Sequence, residues 1–330
     1  MAGSVPIHGM RSAAVAWLVE AGVDPAVFHP RQSPVFSENS FSAGRDDLDD
    51  LWGTGARISW LGGPAVSLGG WPRNAAGSAM AHVATFHLGD AHAALGDPKE
   101  RGWPDEAAEL LPEDGYIQVF HDLETYGYEP DDVEARGWLV TWHADDPSQA
   151  RPPLVECDGD SNAPGSTAQL GLFYPGWMIP SPLDFDGLTD GTFTAADAAI
   201  DELDSAWVAQ RHLAQREPHP IPSTRLLGHS STGDLGPREE ILPAALPLAA
   251  EGDDYVLLAE IESWTTLNGW FGDASSLEIW MRRDDLRARD GSASAGASSA
   301  RTDFGRHHLL QHERGLGPHP SPPRPCVAVP

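Results

Sequence analysis

A chain of 330 residues, 41% of them hydrophobic, is long enough for one large domain or two halves around a proper core. Its 49 acidic residues outnumber 21 basic ones, a formal net charge of −28. That excess repels DNA, RNA and anionic membranes, since phosphate binding needs clustered Lys and Arg, so nucleic-acid and membrane partners are set aside.

The first element predicted is a helix from Ser12 to Ala21, with Ser12 as its cap, Gly22 at its C-terminal stop and Val15, Leu18 and Val19 as apolar positions. The stretch Ala14–Val19 is too short to span a bilayer, and Glu20 ends it without a cleavage site. Residues 29–50, rich in Pro, Ser and Asp, read as a connector, so 1–50 is set apart from the main domain. Arg57 to Pro64 opens a first half, and its Gly62-Gly63-Pro64 forces a turn because glycine admits positive φ.

Met80–Leu88 has the composition of a buried strand. Trp103–Pro112 reads as a brief helix with proline in its first turn, Tyr116–Leu123 as the next strand. Trp138–His143 alternates, with Trp138, Val140 and Trp142 on one face. Residues 144–168 read as a loop or hinge. A helix is predicted from Ala195 to Ala214, capped by Thr194 with Asp197 three residues on, its inward stripe being Ile200, Leu203, Trp207 and Val208. The second half begins near Arg225-Leu-Leu-Gly-His229 and continues through strands 255–262 and 276–282. Beyond 288 the chain turns Gly, Ser, Ala and then His, Pro, Arg rich, without periodicity, and 288–330 is expected to be disordered.

One signature occurs twice. Matching Ala84 to Ala259 sets Phe86 against Ile261, and matching Ile117 to Leu277 sets Val119 against Ile279 and Phe120 against Trp280. A strand, a linker and a second strand have been used twice. The reading is two related β-rich halves, about 51–143 and 225–287, joined by a helical insert within one domain over 51–287.

Chemical motifs are sparse. Asp158-Gly-Asp160-Ser-Asn162 starts like a calcium loop but has Ala163 where glycine is required and Gln169 where a bidentate Glu belongs, so no metal is expected. His82, His87 and His92 recur every five residues, an interval that does not let them converge, and they read as core or surface histidines. No phosphate loop, dinucleotide fingerprint, nucleophile elbow or zinc-protease motif is present, and no cofactor is expected. Cys157 lies between Glu156 and Asp158, whose charge opposes thiolate formation. With Cys326 as the only other cysteine there is no disulfide scaffold, and a cytoplasmic setting is expected. Twelve tryptophans are many, and Trp270-Phe-Gly-Asp273 offers a ring, a flexible glycine and a carboxylate in one predicted loop.

Leu61-Gly-Gly-Pro64, Trp71-Pro72, Ala84–Leu88, Leu111-Pro-x-x-Gly115 running into Ile117–Phe120, Leu226-Leu-Gly-His229, Leu257–Ile261, Trp270–Asp273 and Asp284-Asp-Leu286 occur in an order and spacing that resemble the YwqG-like family of bacterial proteins, a domain of unknown function. The resemblance covers roughly residues 52–287. It departs from the family where glutamine is usual and this chain has Thr85 and Glu260, in the segment Ser230–Asp234, and at Ser275 in place of glycine. The resemblance implies an α+β fold of two related β-rich halves with a few peripheral helices, and no established catalytic activity. Family members occur near bacterial polymorphic-toxin genes, which implies an immunity or interaction role by association.

Two functions are carried forward. The first is a non-enzymatic cytoplasmic interaction protein binding a basic protein, with toxin neutralisation its sharpest form. The second is a small-molecule binder or hydrolase-like enzyme in the cleft between the halves, with His229, Asp234, Glu260, Trp270 and Asp273 as the ligand-binding group.

Overall fold

Strands that are apolar on both faces must be covered on both, and that demand organises this chain. The computed structural model describes residues 11–20, 22–29, 31–96, 109–125, 132–145, 150–157, 168–174, 176–178, 180–199, 224–230, 233, 237–262, 276–288 and 297–300. These residues are β-rich, with few and mostly short helices, and their main sheet curls into an antiparallel half-barrel.

The strands are β1 (Arg31–Gln32), β2 (Val35–Ala43), β3 (Ser59–Gly62), β4 (Ala65–Val66), β5 (Ala81–His87), β6 (Tyr116–His121), β7 (Trp138–His143), β8 (Leu154–Val155), β9 (Ala168–Tyr174), β10 (Trp177–Met178), β11 (Arg225–Leu226), β12 (Tyr255–Glu262), β13 (Ser276–Arg282) and β14 (Ala297–Ala300). Ten of them form one sheet in the order β14-β13-β12-β11-β2-β9-β3-β5-β6-β7, while β1 pairs with β10 and β4 with β8. The strands at 255–262 and 276–282 coincide with expectation, as does Trp138–His143, and Met80–Leu88 falls within one residue of β5 at each end.

The inner face carries one core drawn from both halves: Phe36, Leu61, Val83, Ala84, Phe86, Ile117 and Val119 pack with Leu226, Leu258, Ala259, Ile261, Leu277 and Ile279. Separate apolar clusters lie outside this core, one around Trp52, Trp60 and Tyr116, one around Leu242, Tyr255, Leu257 and Trp280, and one around Ala65, Met80 and Phe120. Every residue of β5 and β6 is buried.

The two signature regions share their pairing in detail. Ala84 pairs with Val119 and Ala259 with Ile279; Thr85 pairs with Gln118 and Glu260 with Glu278. In β5 the register shifts between His82 and Ala84, and in β12 between Leu257 and Ala259, so Val83 and Leu258 occupy matching bulges. Trp60 faces Thr85 as Arg225 faces Glu260. At the end of β3 and directly after β11 two successive residues have positive φ: Gly62 (63°) and Gly63 (64°), then Leu227 (57°) and Gly228 (90°). Between the two regions lie β2, bound to β11, and β9, bound to β3.

Several expectations are corrected. Residues 29–50 are no connector: they contain β1, β2 and a helix α2 (Arg45–Gly53), because β2 finds hydrogen-bonding neighbours on both edges despite its Ser, Glu and Asn. The first helix, α1 (Arg11–Glu20), ends as expected, with Gly22 at φ 79° and Val23 N–H on the Leu18 carbonyl, but Val19 is exposed. Helix begins at 190 rather than 195, so Thr194 lies inside it and is not its cap, and the stripe Ile200, Leu203, Trp207 and Val208 falls outside the described residues. Residues 144–168 include β8, which pairs with β4. The stretch expected to be disordered contains β14, which takes up the open edge of β13. Of the helix expected over Trp103–Pro112, only the part from 109 on is described, and the calcium-like segment lies outside the described residues.

Candidate functional site

The turn after β11 folds back over the outer face and places polar groups beneath it. Arg225, Glu260 and Glu278 stand side by side on β11, β12 and β13 and are 2%, 0% and 1% exposed. Arg225 donates to Glu260 Oε2 at 2.5 Å and to the His229 carbonyl at 3.2 Å. Ser230 Oγ donates to Glu278 Oε1 at 2.6 Å, and the Trp280 indole N–H to Glu278 Oε2 at 3.0 Å. Two carboxylates and one guanidinium thus lie inside the protein, an arrangement that requires good hydrogen bonding to offset desolvation.

Of the five ligand-binding residues expected from sequence, this network contains two. Glu260 contributes its carboxylate and His229 its carbonyl, while the His229 ring reaches the His29 carbonyl at 3.2 Å. Asp234, Trp270 and Asp273 lie outside the described residues. Arg225, Ser230 and Glu278 were not anticipated as site residues. Arg225 carried a usable signal, a charged residue opening a strand that continues Leu-Leu, and Glu278 carried one as the only charge within Leu277–Met281.

The first half has a neutral counterpart. Gln118 accepts from Val66 N–H at 2.7 Å and donates to the Val66 carbonyl at 3.1 Å, while Trp60 donates to the Pro64 carbonyl at 2.9 Å. His82 contacts the Gly62 carbonyl through Nδ1 and Thr85 Oγ1 through Nε2, and burial lowers its pKa to about 4.

A second polar group ties the segment after β7 to the end of β5 and the helix α3 (Leu88–Ala94). His87 Nδ1 accepts from Asp90 N–H, which leaves Nε2 to donate to Asp145 Oδ2 at 3.4 Å. Arg151 grips Asp145 through Nε and a guanidinium NH2, and its own plane lies 4.3 Å from the Trp52 ring centroid. Burial opposes ionisation of Asp145, but the Arg151 hydrogen bonds and charge hold its pKa below the ordinary value. Burial lowers the pKa of His87, and burial together with the Asp145 charge raises that of Tyr116 to about 12. With both ring nitrogens engaged, His87 is a structural link and not a free base. His82, His87 and His92 have three different sets of partners, His92 Nδ1 meeting the Leu111 carbonyl at 2.9 Å. Among the described residues no three of His, Cys, Asp or Glu gather as metal ligands. The indole of Trp71 donates to the Met80 carbonyl and packs on Phe120, so it serves the core.

Where the two halves meet at one end of the sheet there is a depression of about 280 Å³. The segment before β6, helical at 109–110, supplies Glu109 to Asp114, and the helix Arg283–Ala288 supplies Leu286 and Arg287. Leu110, Leu111 and Leu286 belong to the inner core and form the floor. Carboxylates of Glu109, Glu113 and Asp114 stand with the Arg287 guanidinium around it. Neither His229 nor Glu260, the two described members of the group expected from sequence, lines it, although it joins two of the segments on which the family resemblance rests, Leu111–Gly115 and Asp284–Leu286.

A family model described as a domain of unknown function (DUF1963) matches residues 61–294. No curated protein matches the chain.

Proposed function

We infer, from the premise that the chain belongs to the DUF1963 family of domains of unknown function, that it is a non-enzymatic interaction protein whose acidic surface engages a basic protein. The observation that carries this reading is the depression between the halves, where Glu109, Glu113 and Asp114 stand over an apolar floor on a chain of net charge −28. Opposed fields accelerate the encounter of such a surface with a basic protein. The YwqG-like name, the α+β class and a cytoplasmic setting belong to this reading, and toxin neutralisation is its sharpest form. Doubling of an ancestral β-unit belongs to it as well, supported by the matching registers and bulges of β5–β6 and β12–β13.

The test is a pull-down from the native host at low salt, repeated at high salt. A retained basic protein released by salt is expected. No retained protein, or one indifferent to salt, overturns the reading.

The buried Arg225–Glu260–Glu278 group favours a second reading, a small-molecule site beneath the β11 turn, because buried charges concentrate at functional sites. A ligand found there by soaking or by fragment screening would promote it over the first.

A further inference from the structure

We propose that the turn His87–Asp90 is a proton-operated cap: on taking up one proton, the His87 ring changes from acceptor of the Asp90 N–H to donor to the Asp90 carboxylate, and the first turn of α3 is released.

The geometry provides for both states. His87 ends β5 and immediately precedes α3, with an extended backbone at φ −78° and ψ 111°. Its Nδ1 accepts from Asp90 N–H at 3.3 Å, a role that a Ser or Asn oxygen ordinarily fills at the start of a helix. Such an oxygen accepts at any ordinary pH, whereas an imidazole nitrogen accepts only while the ring is neutral. A replacement acceptor is already close, because Asp90 Oδ1 lies 4.0 Å from the same Nδ1. A proton on Nδ1 therefore repels the Asp90 N–H and draws in the Asp90 carboxylate. On the far side of the ring Nε2 donates to Asp145 Oδ2 in either state, so the ring stays anchored while Nδ1 changes role.

The surroundings favour the neutral, capping form near neutral pH. Burial lowers the His87 pKa, the charges of Asp90 and Asp145 raise it, and Arg57 lowers it. Arg151 neutralises part of Asp145 through its own hydrogen bonds. On β6, Tyr116 has a pKa raised to about 12 and stays neutral, and His143, stacked on it, is held neutral by burial. Ser59 of β3 accepts the His87 N–H through Oγ at 2.8 Å, and the Glu113 carboxylate sits by His92. β9, which also packs on α3, carries no charged residue. Release of the turn reaches the inner core, where Leu88 and Ala91 are packed, and the segment before β6, since Leu88 N–H donates to the Gly115 carbonyl at 2.9 Å.

The test uses the full chain. Long-range proton–nitrogen NMR correlations follow the tautomer and titration of the His87 ring. Hydrogen exchange follows the Asp90 amide over the same pH series, with the amides of β6 as the reference for global opening. The expected result is an unprotonated Nδ1 near neutral pH, then a roughly fivefold fall in Asp90 protection relative to β6 as the ring takes up its proton. His87→Asn supplies an acceptor that does not titrate, so its Asp90 protection should stay level. Asp90→Asn keeps the backbone N–H and removes the carboxylate that stabilises the charged ring, so ring titration and loss of protection should move together to lower pH. This second variant alters a partly exposed side chain and decides the matter by itself should His87→Asn not fold. A proton on Nδ1 near neutral pH, a ring that titrates while Asp90 protection stays level, or a ring that remains neutral down to acid unfolding overturns the proposal. So does an equal fall in protection in His87→Asn, or an unmoved titration in Asp90→Asn.

Discussion

Trp60 and Arg225 occupy matching positions in the two halves, and each donates a hydrogen bond to the carbonyl four residues ahead: Pro64 at 2.9 Å and His229 at 3.2 Å. The same turn is therefore pinned from below by a neutral indole in one half and by a guanidinium in the other. The guanidinium brings an anion with it, since Arg225 also holds Glu260.

That pairing sets the first prediction. Arg225→Ala leaves Glu260 fully buried without its cation, and removing one member of such a pair costs roughly 3–5 kcal/mol. Arg225→Met combined with Glu260→Gln removes both charges and recovers most of that loss. Urea unfolding of the single and double variants checks this, and a double variant no more stable than the single one refutes it.

Gln118 holds β4 against the outer face by two hydrogen bonds to Val66. Gln118→Leu keeps the bulk but leaves the Val66 N–H and carbonyl buried without these partners, at a cost of about 2 kcal/mol. Gln118→Glu puts a carboxyl at this fully buried position opposite the Val66 carbonyl, where the ionised form is penalised and only the acid form supplies the donor, so its midpoint in denaturant should rise relative to the leucine variant as pH falls.

Gly63 and Gly69 both have positive φ, 64° and 83°, but differ in surroundings. A Cβ on Gly63 would lie 2.8–2.9 Å from the Ala168 backbone of β9, whereas one on Gly69 meets nothing within 4 Å. Gly69→Ala should cost about 1 kcal/mol from backbone strain alone, and Gly63→Ala appreciably more, because β9 cannot yield without losing its pairing to β3. Comparing the two melting temperatures decides it, and equal shifts would count against the close approach.

Burial lowers the pKa of both His82 and His121 to about 4. In the unfolded chain they titrate near 6.5, so between these values the unfolded state binds more protons and stability falls with falling pH. The loss begins below pH 6.5 and is complete near 4, on the order of 3 kcal/mol for each histidine at most. Asp122 and Asp145, whose pKa values are lowered, withdraw their contributions only on further acidification. Denaturant midpoints between pH 4 and 7 should therefore slope upward with pH, and a flat profile would contradict the burial of these rings.

Legibility followed local composition. β5, β6, β12 and β13 are visible because strands covered on both faces read as largely apolar runs, and the match of Ala84 to Ala259 follows from the same runs. β2 and β9 are not visible. Val35–Ala43 contains Ser, Glu and Asn and follows Pro34, and Ala168–Tyr174 exposes Leu172 and Tyr174. Of the site, His229 and Glu260 were named from the sequence, but their meeting at Arg225 was not, nor was the depression at Glu109 and Arg287.

The sequence by itself determined the acidic charge and the largely apolar strands around Ala84, Ile117, Ala259 and Leu277, which depend on neighbours along the chain. Only the tertiary structure decided that β2 and β9 lie side by side at the centre of the sheet, that Arg225 is the buried cation for Glu260, and that Leu111 and Leu286 share one floor. The reason is physical: a backbone hydrogen bond or an ion pair stabilises a segment through a partner more than a hundred residues away in β2–β9, or on another strand in Arg225–Glu260, and local composition carries no record of which partner that is.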